Sequence, residues 1–168
     1  GQLVIGHVGR LCYQKNQTFL LEVFAAMRKR DVDSVLLVVG DGDRSALEEK
    51  AERLGLRDRV IFCEATDHVE RLFWAMDIFV FPSIFEGFGI VLIEAQAAGL
   101  PAVCSNRVPR EASFLPSTLV LPLEDSAESW AEQVLCVERE IPDQMENIRK
   151  AGLAISDVSL RIRTCYIQ

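Results

Sequence analysis

No two of the five cysteines (Cys12, Cys63, Cys104, Cys136 and Cys165) stand in CxxC spacing, and their number is odd. That pattern excludes a disulfide frame or a cysteine zinc site and reads as a reducing compartment. No apolar run approaches the roughly 18 residues of a membrane span, and no signal peptide precedes the first strand pattern. Cations are in deficit: 18 Lys and Arg against 25 Asp and Glu leave a net charge of −7. A broad nucleic-acid surface needs clustered Lys and Arg, so that class is set aside. A small cationic pocket for a phosphate remains compatible with the balance. Only two histidines occur, His7 and His68, and neither has a partner in sequence. Both read as structural or exposed rather than as acid–base groups. Internal repeats, low-complexity tracts and linkers are absent.

What is present is an ordinary globular composition. The 168 residues are 49% apolar and 26% charged, one domain's worth with enough apolar material for a real core. The chain begins at "GQLVIGHVGR", already inside a strand pattern, which reads as a cut rather than a natural start. Short apolar runs at 3–8, 35–39, 60–62, 78–81, 101–104 and 118–121 predict strands. Most lack alternation, as expected for parallel strands covered on both faces.

Segments of helical period lie between them. Phe19, Leu20, Val23, Phe24 and Met27 form one stripe, with Asn16 as N-cap. Leu47, Ala51 and Leu54 form another, closed by Gly55. Residues 67–76 and 88–99 supply two more helices, the second apolar nearly all round and so expected to be deeply buried. Asp125 or Ser126 caps a later helix carrying Trp130, Val134 and Val137, and a last helix is expected over 143–155. Strand–helix alternation repeated this often predicts a Rossmann-like, doubly wound, mostly parallel α/β sheet of about six strands.

In such sheets ligands bind beyond the C-terminal strand ends. Three loops there carry polar or glycine-rich residues. "GRLCYQKN" follows the first strand, where Gly9 permits a tight turn and Arg10 and Lys15 can converge on an anion. "GDGDR" follows the second and reads as a tight turn with Asp43 capping the next helix. "SIFEGFG" follows the fourth and opens a helix whose first N–H groups are unpaired and carry the positive dipole end. Gly87 and Gly89 let the backbone approach a ligand there. Glu86 and Glu94 stand eight residues apart in an otherwise apolar run. A carboxylate accepts two hydrogen bonds and fits a vicinal diol, and a carboxylate among apolar residues needs a partner.

Together, "EGFGIVLIE", a Glu-x7-Glu motif, and "GRLCYQKN" resemble the C-terminal, donor-binding half of a GT-B retaining glycosyltransferase. "AMDIFVFPS" and "LIEAQAAGLP" are similar to the branch that builds bacterial capsular and exopolysaccharides. The resemblance implies that Arg10 and Lys15 contact the donor diphosphate. It implies that Glu86 binds hydroxyls of the transferred sugar and Glu94 those of the ribose. The backbone of Phe88 and Gly89 would face the sugar, that of Ile90 and Val91 the phosphate, with Phe62 and Cys63 against the base. It further implies a UDP-linked hexose donor, no metal or other cofactor, and a polysaccharide or lipid-linked acceptor. The enzyme would be cytoplasmic, at the inner face of the membrane. Because the family's acceptor site lies mainly on an N-terminal half missing here, the lone chain is expected not to transfer sugar.

Two positions depart from the family pattern. Glu64 stands where glycine is usual after the third strand, and Asn106 where aspartate is usual after the fifth. Alternatives are another GT-B enzyme, such as a phosphorylase or sugar-nucleotide epimerase, or a non-catalytic nucleotide-binding α/β module. A response regulator would place acids where this chain has Arg10.

Overall fold

A computed structural model describes residues 1–137; the helix expected over 143–155 lies outside them. The elements are β1 (Leu3–Val8), α1 (Gln17–Arg28), β2 (Ser34–Val39), α2 (Ser45–Arg53), β3 (Val60–Cys63), α3 (Val69–Phe73), β4 (Ile78–Phe81), α4 (Ile90–Ala97), β5 (Ala102–Ser105), β6 (Leu119–Leu121) and α5 (Ala127–Cys136). The six strands form one sheet in the order β3-β2-β1-β4-β5-β6, every neighbouring pair parallel. This is the doubly wound arrangement expected from the sequence.

The unalternating strands have a direct cause. Leu36, Val38, Ile78 and Val80 pack with α1, α2 and α5 on one face. Leu37, Val39, Phe79 and Phe81 pack with α3 and α4 on the other. Successive side chains point to opposite faces, and both faces are covered, so apolar residues run without alternation through the middle of β2 and β4. Full burial of a Leu or Phe side chain contributes about 1.5–3 kcal/mol, which makes β2 and β4 the spine of both cores.

The helix ends follow local chemistry. Ser126 rather than Asp125 caps α5, accepting from the Ser129 N–H at 3.2 Å. Trp130 on α5 donates to the Pro122 carbonyl at 2.9 Å and meets Phe19 of α1 edge-on at 5.5 Å. Val137 falls one residue past the helix. After α2, Gly55 has φ +70°, its N–H reaching Glu52 and that of Leu56 reaching Ala51. That pair of bonds closes the last turn, and only the glycine takes the left-handed conformation without cost. Asp43 lies one residue before the cap of α2 and accepts from both the N–H and the hydroxyl of Ser45. Those two bonds hold its carboxyl below the usual carboxylate range.

Two expectations are corrected. The third helix is shorter than 67–76, spanning only Val69–Phe73. The fourth, expected to be deeply buried, turns a whole stripe outward: Ile90, Glu94 and Ala97 are exposed, at i, i+4 and i+7. Its apolar composition therefore does not measure its burial. Glu94 sits on this outward face and is not a buried carboxylate.

The inward face of α4 is fixed by one buried glutamine. Gln96 donates to the Leu92 and Ala112 carbonyls and accepts from the N–H groups of Phe114 and Leu115 and the Thr118 hydroxyl. It thus ties α4 to the segment between β5 and β6. Gln96→Leu is expected to destabilise the fold by roughly 3–5 kcal/mol, since several buried groups lose partners at about 1–3 kcal/mol each. Chemical denaturation measures this; a loss below about 1 kcal/mol would show that the segment re-pairs elsewhere.

Candidate functional site

β1 and β4 are the central neighbours, and the chain leaving them turns to opposite faces of the sheet. Their pairing covers only Ile5↔Ile78 and Gly6↔Phe79. The crevice beyond their C-terminal ends is where doubly wound folds bind ligands.

His7 lies fully buried beneath this crevice. Its Nδ1 is 3.0 Å from the Val80 carbonyl and its Nε2 3.2 Å from Gln17 Nε2. Gln17 Nε2 also donates to the Arg10 carbonyl at 2.8 Å. Both contacts are made at once by a neutral ring that donates from Nδ1 and accepts at Nε2. Burial brings the His7 pKa down to about 4, with nearby Lys15 adding to the effect and the Val80 bond opposing it. His7 is structural; His68 is exposed, 3.4 Å from Glu70.

Above His7 the two loops are stitched together. The Ile84 N–H donates to the Gln14 carbonyl at 2.8 Å, and the Gln14 side chain donates to the Phe85 carbonyl at 3.0 Å. Asn16 occupies the N-cap position of α1 in the left-handed conformation, but its side chain does not cap. It donates instead to the Pro82 carbonyl at 3.1 Å. Lys15 Nζ lies 2.7 Å from Glu86 Oε1 and 4.8 Å from the centroid of the Phe81 ring.

Gly89 starts α4 with φ +75° and ψ +40°. A Cβ there would also lie 3.1 Å from Val108 Cγ1 and 3.3 Å from Ala112 Cβ, so both backbone and packing require glycine. Its carbonyl accepts from Leu92 and Ile93. Among the described residues the N–H groups of Ile90 and Val91 meet neither a backbone carbonyl nor a capping side chain, leaving them open to an anion.

These pieces surround one cavity of about 460 Å³. Gly9, Arg10 and Lys15 line it from the β1 side, and Glu86, Phe88, Gly89, Ile90 and Val91 from the β4 side. Arg10 is exposed and has no carboxylate within 4 Å among the described residues. A neighbouring cavity of about 380 Å³ holds Phe62, Cys63 and Glu64 together with Leu11 and the 40–45 loop. The backbones of these loops touch: Gly9 donates to Val39, Leu11 to Asp41 and Gly40 to Cys63.

Gly87 and Glu94 line neither cavity. Gly87 is exposed at the turn, and Glu94 is one helical turn beyond Ile90, its carboxyl pKa raised by partial desolvation. Cys12 and Gln14 line the first cavity without having been singled out in the sequence. Nor did the sequence single out Gln17 and Gln96, whose roles depend on partners remote in the chain. Asn106 accepts from the Leu123 N–H at 3.2 Å and so latches the loop after β6. A larger space of about 650 Å³ lies near the start of β3, lined by Leu54, Gly55 and Arg59. Arg57 in its wall is paired with Glu52, and Arg59 with Asp33, so neither is free to take an anion.

The fold and the crevice define a doubly wound, Rossmann-like α/β domain with a cavity at its topological switch point, and comparison with known proteins gives the family. The family described as "Glycosyl transferases group 1" matches residues 2–139. The chain belongs to that family. It is 35% identical over 135 residues to the putative glycosyltransferase EpsF of Bacillus subtilis, a match covering 79% of this chain and 35% of EpsF. It thus spans about a third of that relative's length. It is similar to WaaG, a glycosyltransferase involved in lipopolysaccharide biosynthesis, with 26% identity and a TM-score of 0.72. That match covers 94% of this chain and 41% of WaaG. Against Anabaena Alr3699/HepE in complex with UDP and glucose, identity is 25% and the TM-score 0.69, covering 95% of this chain and 44% of the other. The architecture is the Rossmann-like α/β fold found in GT-B glycosyltransferases. No helix among the described residues is long and apolar enough to cross a membrane.

His7 makes the stability pH-dependent with a definite sign. Its folded pKa of about 4 lies below the unfolded 6.5, so between those values the unfolded chain binds the extra proton. Stability contributed by the neutral ring is complete above about pH 6.5 and is lost as pH falls toward 4, by roughly 3 kcal/mol in all. Denaturation of the parent and His7→Gln across pH 4 to 7 is expected to show this slope in the parent and a flatter one in the variant.

Proposed function

We propose that this chain is the donor-binding domain of a retaining hexosyltransferase that uses a nucleoside diphosphate sugar, UDP-linked. One observation carries the reading. Two cations, Arg10 and Lys15, and the open N–H groups of Ile90 and Val91 converge on a single cavity beside the carboxylate of Glu86. The first set suits a diphosphate and the carboxylate suits sugar hydroxyls. The UDP and glucose named for the HepE complex support the same donor class.

In this reading Arg10, Lys15 and the start of α4 neutralise the diphosphate as it leaves, an electrostatic catalysis that needs no nucleophile from the protein. The acceptor attacks on the face the leaving group departs from, giving retention. Glu86 holds the sugar, Glu94 the ribose hydroxyls through the outward face of α4, and the base lies in the second cavity against Phe62 and Cys63. The acceptor, a polysaccharide or lipid-linked glycan, is bound by the larger share of the relatives' length that this chain does not span. The chain by itself is then expected to bind donor without transferring sugar, since positioning two reactants supplies roughly 7–11 kcal/mol of barrier lowering.

Calorimetric titration with UDP tests the reading. Binding is expected to weaken with salt, because exposed charge contacts are screened over about 8 Å at physiological ionic strength. Replacing Arg10 and Lys15 together with Ala is expected to lower the affinity and flatten the salt dependence. Strong, salt-independent binding of uridine would contradict the phosphate site. Glu94→Gln is expected to weaken UDP binding by about 1.5–3 kcal/mol, the worth of hydrogen bonds to a charged group. Unchanged affinity would remove Glu94 from the ribose.

A further inference from the structure

Of the two cations in the site, only Lys15 is held by an acid. Its Nζ sits 2.7 Å from Glu86 Oε1, with the two side chains 16% and 7% exposed, and it also lies over the Phe81 ring. Arg10 shares the cavity with no carboxylate within 4 Å among the described residues. We propose that Glu86 is an internal competitor for Lys15, so that the ion pair discriminates a nucleoside diphosphate sugar from a nucleoside diphosphate. The proposal rests on the donor-site reading above.

When Lys15 turns to a phosphate, Glu86 loses its cation. A carboxylate this enclosed is costly without a cation or hydrogen-bond donors. The transferred sugar supplies donors, since its hydroxyls can satisfy the oxygens that Lys15 releases. A nucleoside diphosphate has no hydroxyls beyond its terminal phosphate, so it either leaves Glu86 unsatisfied or shares Lys15 with it. Donor and product therefore differ by more than the contacts of the sugar itself. Once the sugar has gone, Glu86 reclaims Lys15 and weakens the hold on the remaining diphosphate. The same carboxylate that reads the sugar thus favours departure of the product.

The proposal inverts the usual effect of removing a binding residue. Glu86→Gln is expected to bind UDP about fivefold more tightly than the parent, a difference of about 1 kcal/mol. It is expected to bind UDP-glucose less tightly. The gain for UDP is expected to vanish when Lys15 is replaced by Met, which leaves Arg10 and the α4 N–H groups in place. Calorimetry of the four chains with both ligands reads all of this, and Glu86→Ala repeats it should the Gln variant fail to fold. UDP affinity unchanged or lowered by Glu86→Gln would overturn the proposal. So would a gain that persists without Lys15, which would mean only that a negative charge has left the pocket. If the parent chain binds neither ligand, the donor-site reading itself fails and the proposal falls with it.

Discussion

In a parallel sheet wound in both directions, the chain leaving β1 and the chain leaving β4 must turn away from each other. Their helices cover opposite faces, so no helix crosses the gap between the two strand ends. The pairing of β1 with β4 reaches only two residues, and the rest of the site is built around that opening. His7 fills its floor, joined to Val80 on one side and to Gln17 on the other. Through Gln17 the same network reaches the backbone of Arg10. Gln14 and Asn16 tie the β1 loop to the β4 loop above it. What could have been two independent loops is one braced surface.

The buried polar residues show how stability and geometry are divided. Apolar residues fill both cores, while the buried polar set is His7, Gln17, Ser34, Ser83, Gln96 and Ser105. Four of these lie beneath or beside the crevice: His7 and Gln17 under the β1 loop, and Ser105, which donates to the Ser83 backbone carbonyl, under the β4 loop, while the Ser83 hydroxyl meets no partner among the described residues. Gln96 anchors the helix whose start lines the cavity. A buried polar group costs stability unless it is paired. Placing these groups under the crevice fixes loops that carry the ligand-facing atoms, which an apolar floor would leave free to shift.

Group 1 glycosyltransferase membership is established over residues 2–139, and the cavity offers cations, open N–H groups and a carboxylate in one place. The chain spans about a third of EpsF. Within the domain, the Lys15–Glu86 pair joins the loop after β1 to the loop after β4 in a single enclosed contact.

The sequence by itself determined the sheet. Strand positions, the unalternating apolar pattern and the helix stripes are local, and local propensity with burial on both faces leaves few alternatives. It also marked Arg10, Lys15, Glu86 and Gly89, because they stand in the loops beyond the C-terminal strand ends, where such sheets bind ligands. Composition misled where burial depends on what packs alongside: α4 is apolar yet turns Ile90 and Glu94 outward. Only the tertiary structure decided that Lys15 and Glu86, 71 residues apart, meet. It alone placed Phe62 and Cys63 in a separate cavity and gave His7, Gln14, Asn16, Gln17 and Gln96 their work. The sequence could not give these roles, because each depends on hydrogen bonds whose partners are set by where the chain returns rather than by which residues stand beside it.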